Sequence, residues 1–257
     1  MNAQNFFDYA AYVGLTKHLG GLQATKELVE LCHIGADKCI LDVGCGAGLT
    51  PCFLAKTYAC LMVGIDIHEG MIEKSKERAR REHITDRVEF LVADAQALPF
   101  EDNYFDAVIT ESATAFPADK HKAVSEYARV TKQGGYVGLN ESAWLKVPPP
   151  ADIVAWATQN VGAQVEPLTS EGWTQLLEKA GLQEIVANTY EIDTQDEAKG
   201  ILQRYGWREI LRVLVRTLSL YIKSPNYRSF VKEVSASGVT PNNLNEYFGY
   251  GIYVGRK

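Results

Sequence analysis

Long apolar runs are missing from this chain. Nothing in its 257 residues approaches the ~20 consecutive apolar positions of a membrane-crossing helix. A charged stretch followed by an apolar core is equally missing at Met1-Asn2-Ala3-Gln4-Asn5, so no secretory signal is read and a cytoplasmic location is expected by default. Positive charge is in deficit: 26 Lys and Arg face 32 Asp and Glu, a formal net charge of −6. That balance argues against a nucleic-acid partner, which calls for a basic face. Cysteines number five, all between Cys32 and Cys60, with no C-x-x-C pair. An odd, clustered set excludes a disulfide framework and reads as small buried side chains. His33, His68, His83 and His121 show no ligand spacing, so no metal is expected. Repeats and low-complexity segments are absent too.

What is present is an ordinary globular composition, 46% apolar and 23% charged, in a chain long enough to bury a full core. Its most informative segment is Ile40-Leu41-Asp42-Val43-Gly44-Cys45-Gly46-Ala47-Gly48. A short apolar run, read as a buried strand, breaks into alternating glycines, and a helix follows at Thr50-Pro51. Thr50 is placed to cap that helix and Pro51 suits its first turn. Glycines at this spacing let the chain turn tightly and let a ligand lie against bare main chain. Eighteen residues after Gly48, a second apolar segment (Leu61 to Ile65) ends in Asp66, where a carboxylate can accept both hydroxyls of a ribose. A third, Val88 to Val92, runs into Ala93-Asp94-Ala95, where a carboxylate and a backbone N–H can read an adenine edge.

Taken together, these segments with Leu98-Pro99-Phe100 and Phe105-Asp106-Ala107-Val108-Ile109 resemble a class I S-adenosylmethionine-dependent methyltransferase over about residues 15–145. The motifs are nearest to the ubiquinone/menaquinone C-methyltransferase and related small-molecule groups. A nicotinamide-binding dehydrogenase shares the architecture, but its fingerprint is G-x-G-x-x-G, and here the glycines alternate as G-x-G-x-G. The resemblance implies S-adenosylmethionine as cofactor, S-adenosylhomocysteine as product and a small-molecule acceptor as partner. It implies cofactor contacts from Asp42, Gly44, Cys45, Gly46, Gly48, Asp66, Ile67, Met71, Asp94, Ala95 and Glu111. Arsenite methyltransferases share the scaffold and use cysteines, yet they carry further cysteines in their later half and none follows Cys60 here.

Strands alternating with helices predict an α/β fold, a Rossmann-like seven-stranded, mostly parallel sheet with helices on both faces; the last stretch, Tyr247 to Arg256, resembles the antiparallel seventh strand of the family. The helices are expected over residues 3–18, 22–32, 51–58, 69–82, 120–131 and 151–160. Another opens on a capping Ser170 and closes at Gly181. The strands are expected at 40–43, 61–65, 88–92, 105–110, 136–140, 182–192 and 247–256. The whole chain, 1–257, is expected to form one domain. Residues 1–34 supply cap helices, 35–145 the cofactor-binding core, and 146–257 a substrate-side half with a helical insertion at about 194–246.

Methyl transfer from a sulfonium needs alignment and exclusion of water more than it needs a base, so catalytic residues leave a fainter trace than cofactor residues. Glu111 follows the fourth strand, where it can hold the cofactor amine or act on the acceptor. It lacks the Asn/Asp-Pro-Pro-aromatic motif that amino-group methyltransferases acting on nucleic acid or protein glutamine place there. His18 precedes Leu19-Gly20-Gly21 in a segment resembling the entrance of small-molecule methyltransferases, and it joins Glu111 as the catalytic candidate. Tyr9, Tyr12, His18, Glu141 and Trp144 are the expected acceptor-side residues. Arg208, Arg212 and Arg216 recur every fourth residue in the insertion. They read as a solvated stripe on a packed helix, as a basic amphipathic face for a membrane surface or an anionic substrate, or as a lid or dimer face. Monomer and homodimer both stay open, and stable membrane insertion is not expected. The alternative from another class is a non-catalytic cofactor-binding module whose insertion contacts a partner.

Overall fold

The computed structural model describes residues 3–14, 16, 18–160, 167–192, 194–235 and 240–257. Two helices, α1 (Ala3–Val13) and α2 (Gly21–Leu31), precede the sheet. Alternation then begins: β1 (Cys39–Val43), α3 (Leu49–Tyr58), β2 (Leu61–Asp66), α4 (Glu69–Glu82), β3 (Val88–Val92), β4 (Phe105–Glu111), α5 (Lys120–Val130) and β5 (Thr131–Trp144). The later half carries α6 (Ala151–Asn160), the two-residue β6 (Leu168–Thr169), α7 (Ser170–Lys179) and β7 (Gln183–Glu191). It ends with α8 (Thr194–Lys223), α9 (Pro225–Ser235), α10 (Leu244–Tyr247) and β8 (Phe248–Arg256).

The strand order is β3-β2-β1-β4-β5-β8-β7, with β6 paired to β5 off this path. Strands β1 to β5 pair in parallel, while β8 runs antiparallel to both β5 and β7. The strand order reverses at β1, which neighbours β2 on one side and β4 on the other, and a crevice opens at such a switch point. Adjacent residues of each central strand serve opposite faces. Ile40 joins one buried cluster with Leu28, Leu54, Ile72 and Phe90 from the α2, α3 and α4 side. Leu41 and Val43 join the other, with Phe105, Tyr127, Trp173 and Tyr253 on the α5 and α7 side. Both faces of β1 are therefore core, which is why it reads as an apolar run rather than an alternation.

Several boundaries differ from expectation for local reasons. The first helix stops at Val13, with Gly14 at φ 77°, instead of reaching His18. Helix α3 starts at Leu49 on an uncapped Gly48 (φ 73°), so Thr50 is not its cap and its hydroxyl is spent elsewhere. Thr169, not Ser170, caps α7, accepting from the Gly172 N–H. Strand β5 is longer than its apolar stretch at both ends. Gly134 and Gly135 lie inside it, and Glu141 to Trp144 continue it because β8 pairs along Tyr136 to Trp144. The described residues of the 194–246 stretch form α8, broken at Gly206 (φ 68°, ψ 157°), α9 and α10.

Trp173 anchors α7 under the antiparallel half of the sheet: it is wholly buried, stacks on Tyr253 and donates from Nε1 to the Ser142 carbonyl at 3.0 Å. Trp173→Ala should cost about 3–5 kcal/mol through the cavity it leaves. Thermal unfolding should show Tm falling by roughly 10 °C; a shift within a degree or two would mean the site collapses without cost.

Candidate active site

The glycine-rich turn after β1 is held from below. The N–H groups of Gly44 and Cys45 both donate to the Ile65 carbonyl, at 2.8 and 2.9 Å, which draws the turn over the end of β2. Gly44, Gly46 and Gly48 all have positive φ (73°, 53° and 73°). A Cβ on Gly44 would lie 2.3 Å from that of Ala113, and one on Gly46 would lie 2.5 Å from Thr16 Cγ2. The turn thus needs glycine both for its backbone and for close approach by neighbouring segments.

Asp66 ends β2 as expected and grips this turn. Its Oδ2 accepts from the Gly46 N–H at 3.0 Å and its Oδ1 from the His68 N–H at 2.9 Å. Burial raises its pKa, opposed by those two hydrogen bonds. Each carboxylate oxygen keeps a further acceptor site. Beside it Ile67 projects with 72% of its surface exposed, an apolar side chain with a free face. Asp94 follows β3 and accepts at Oδ1 from the Gln96 N–H at 2.8 Å, with Ala95 between them half-buried. Met71, by contrast, is buried on the inner side of α4.

Glu111 ends β4 with its side chain 5% exposed. Its Oε1 accepts from Thr25 Oγ1 at 2.8 Å and its Oε2 from Thr50 Oγ1 at 2.6 Å. His18 Nε2 lies 3.4 Å from Oε1. Sequence distance hid this convergence: α2, α3, β4 and the segment after α1 meet at one carboxylate. A cleft opens beside it, lined by Thr16, His18, Asp42, Gly44, Cys45, Leu49, Thr50 and Glu111, with about 310 Å³ of empty space counted out to solvent. Burial pushes the Cys45 thiol well above its ordinary pKa, and the charges of Asp42 and Asp66 add to the effect. It stays a thiol, a poor nucleophile and a poor metal ligand. All five cysteines are free, and among the described residues no group of His, Cys, Asp or Glu could hold a metal.

The expected acceptor-side residues divide. His18 lines the cleft. Tyr9 packs its ring against Tyr227 and Phe230 of α9, at 4.8 and 4.9 Å between centroids. Tyr12 is largely exposed, and Trp144 packs on Phe248. Glu141 is corrected most: it lines no part of the cleft but lies wholly buried behind it. Its Oε1 accepts from the N–H groups of Ala113 and Thr114, at 2.9 and 2.6 Å, fixing the loop that presses on Gly44.

Four contributors escaped the sequence reading. Ser75 Oγ donates to the Gly46 carbonyl at 2.7 Å, and Arg78 Nε to that of Ala47 at 2.9 Å. Their spacing on the inner face of α4 was the available signal. Asn140 Nδ2 donates to the Leu19 carbonyl at 2.8 Å, and Thr25 serves Glu111; neither carried any local mark.

A doubly wound sheet, a glycine turn over its switch point and acidic residues closing β2 and β4 define a nucleotide-type cofactor crevice in an α/β enzyme. Comparison with known proteins narrows this. Residues 41–139 match the family model described as a methyltransferase domain. An uncharacterised protein of Haemophilus influenzae is 30% identical over 210 residues, covering 80% of this chain and 83% of its own. The 27-O-demethylrifamycin SV methyltransferase of Amycolatopsis mediterranei is 29% identical over 215 residues, 82% of this chain and 78% of its own. A methyltransferase structure from Geobacter sulfurreducens, in complex with S-adenosylhomocysteine, superposes with a TM-score of 0.69 at 20% identity over 97% of each chain, a likeness of fold. The chain belongs to the class I S-adenosylmethionine-dependent methyltransferases.

Glu141 sets a pH dependence. Burial raises its pKa to about 7, against an ordinary value of 4.5. A folded-state pKa above the unfolded one gives stability that is full below about pH 4.5 and lost as pH rises through about 7, up to roughly 3 kcal/mol in all. Glu141→Gln keeps the acceptor oxygen and removes the titration. Its Tm should gain on wild type steadily between pH 5 and pH 8; parallel curves would show that Glu141 does not titrate there.

Proposed function

We propose that the chain binds S-adenosylmethionine across the ends of β1, β2 and β3 and passes its methyl group to a small acceptor entering the His18–Glu111 cleft. The observation that carries this reading is the fit of the cradle. Gly44 brings half-buried main chain to the cleft, Asp66 keeps an acceptor site on each oxygen for a ribose diol, and Ile67 offers an apolar face to an adenine. Asp94 with Ala95 meets the adenine edge. Asp42 and Glu111 supply negative charge where the cationic methionine end would rest. Bound there, S-adenosylmethionine supplies a methyl group already activated by its sulfonium.

The protein's own residues then align and enclose. Glu111 has both oxygens committed to threonine hydroxyls, so we assign it to positioning the cofactor's cationic end and orienting His18. The same charge, held at the reacting end, leaves His18 as the side chain able to take a proton from an acceptor hydroxyl or amine. Among the described residues no Lys or Arg lines the cleft. The whole chain acts as one domain in this reading, with α1 and α2 as its cap. A silent binding module has less support, because it would not need a buried, hydrogen-bonded His–Glu pair at the open end.

Asp66→Ala should weaken cofactor binding about 10- to 100-fold, the loss of one or two charge-assisted bonds of ~1.5–3 kcal/mol. Calorimetry with S-adenosylmethionine measures it, and unchanged affinity would remove Asp66 from the site. Glu111→Gln should lower both affinity and turnover, read as S-adenosylhomocysteine formed across a panel of neutral and amine acceptors. A drop in turnover alone, about 10²–10⁴-fold, would instead make Glu111 a base acting on the acceptor.

A further inference from the structure

The outer face of α8 is apolar and open. Trp207, Leu211, Leu214, Val215, Leu218, Tyr221 and Ile222 are each 45–67% exposed. At 100° per residue they fall within about 120° of the helix circumference, one continuous stripe. With on the order of 100 Å² apiece, the patch approaches 700 Å², above the 300–600 Å² of the largest patch on a typical monomer. The opposite face is already used: Glu209 and Val213 are buried, and α8 packs on α2, α1 and α9. The stripe faces away from these contacts.

Charge decides what would cover it. From Gly206 to Lys232 there are six cations (Arg208, Arg212, Arg216, Lys223, Arg228 and Lys232) and one acid, Glu209, a net +5. The acid is buried and bound by Arg81 and Arg212, at 3.2 and 2.7 Å. The rest of the chain, by difference from −6, carries −11. We propose that α8 with the start of α9 is a docking surface for anionic lipid. The apolar stripe sinks to acyl-chain level, Lys223 and its neighbours meet the headgroups, and the acidic remainder is turned away by repulsion. A second copy would also fit the 4-3-4-3 spacing of Trp207, Leu211, Leu214, Leu218 and Tyr221, but pairing two such faces brings two +5 segments together. Docking on this side keeps α1 at the interface, because Tyr9 packs on Tyr227 and Phe230 and Arg216 Nη1 donates to the Val13 carbonyl.

The surface needs neither acceptor nor cofactor, so its failure would leave the methyl-transfer reading untouched. The full chain is sedimented with vesicles of phosphatidylcholine containing phosphatidylglycerol, and with phosphatidylcholine alone. Binding should require the anionic lipid, weaken as salt rises, and fall at least about tenfold in Leu214→Gln/Leu218→Gln, whose side chains point outward and whose fold is checked by circular dichroism. Brominated acyl chains should quench tryptophan fluorescence in the wild type and not in Trp207→Phe. The proposal is overturned if the wild type ignores anionic vesicles at low salt, or if the double variant binds them equally. It is also overturned if sedimentation equilibrium finds a dimer that the double variant dissolves while neither protein binds lipid.

Discussion

The Glu111 carboxylate is the point on which the crevice depends. A buried carboxylate is costly unless its oxygens are met by donors, and the donors here come from far along the chain. Thr25 brings α2, Thr50 brings the first turn of α3, and His18 brings the segment after α1. The cap, the glycine turn and the sheet are therefore registered against one another by a single desolvated group. Leu19 repeats the tie one residue on, where its carbonyl accepts from Asn140 and its N–H donates to Ser112 Oγ. Removing one partner from such a cluster leaves the others buried and unpaired, which costs more than the bond itself.

A second carboxylate works the same way at the other end. Asp66 fixes Gly46 and His68, Ser75 and Arg78 take the carbonyls of Gly46 and Ala47, and Glu141 braces the loop behind Gly44. Bare glycine backbone is entropically expensive to hold in one shape, and here it is pinned from four sides. Preorganisation of this kind matters for methyl transfer. With an activated donor, most of what a protein can contribute is the geometry of approach.

The parts legible in the sequence were those with local signatures. Strand, glycine turn and Asp66 share one short window, and α4 covers the span its sequence predicts, Glu69–Glu82. The sheet's antiparallel edge followed from the family resemblance of Tyr247 to Arg256, and β8 does run antiparallel to its neighbours. What failed were boundaries set by partners far away. Strand β5 runs on through Glu141 and Ser142 because β8 lies beside it, and no local propensity says so. Glu141 was placed in the pocket because a polar residue after an apolar strand usually marks a loop; the strand had not ended. Thr50 had the look of a cap, yet its hydroxyl was claimed by a carboxylate 61 residues later. The Arg212–Arg216 stripe read as solvated, but Arg212 pairs with Glu209 and Arg216 reaches Val13, while the side chain of Arg208 lies outside the described residues. The exposed face of α8 is the apolar one.

Three carboxylates, Asp42, Glu111 and Asp66, stand around one glycine turn, and among the described residues that line the cleft none is a lysine or arginine. Like charges gathered in a sheltered crevice repel, and each would be easier to bury alone. The arrangement makes sense if the occupant brings the balancing charge. In the proposed reading the occupant arrives with a sulfonium and an ammonium and leaves with the sulfonium converted to a neutral thioether. The field of the site then holds the substrate form more strongly than the product form, by the interaction of one positive charge with the acidic wall. Binding and release are in that case driven by the same residues. In that reading the acidity of the crevice serves the catalytic cycle, and the basic face of α8 has no share in it.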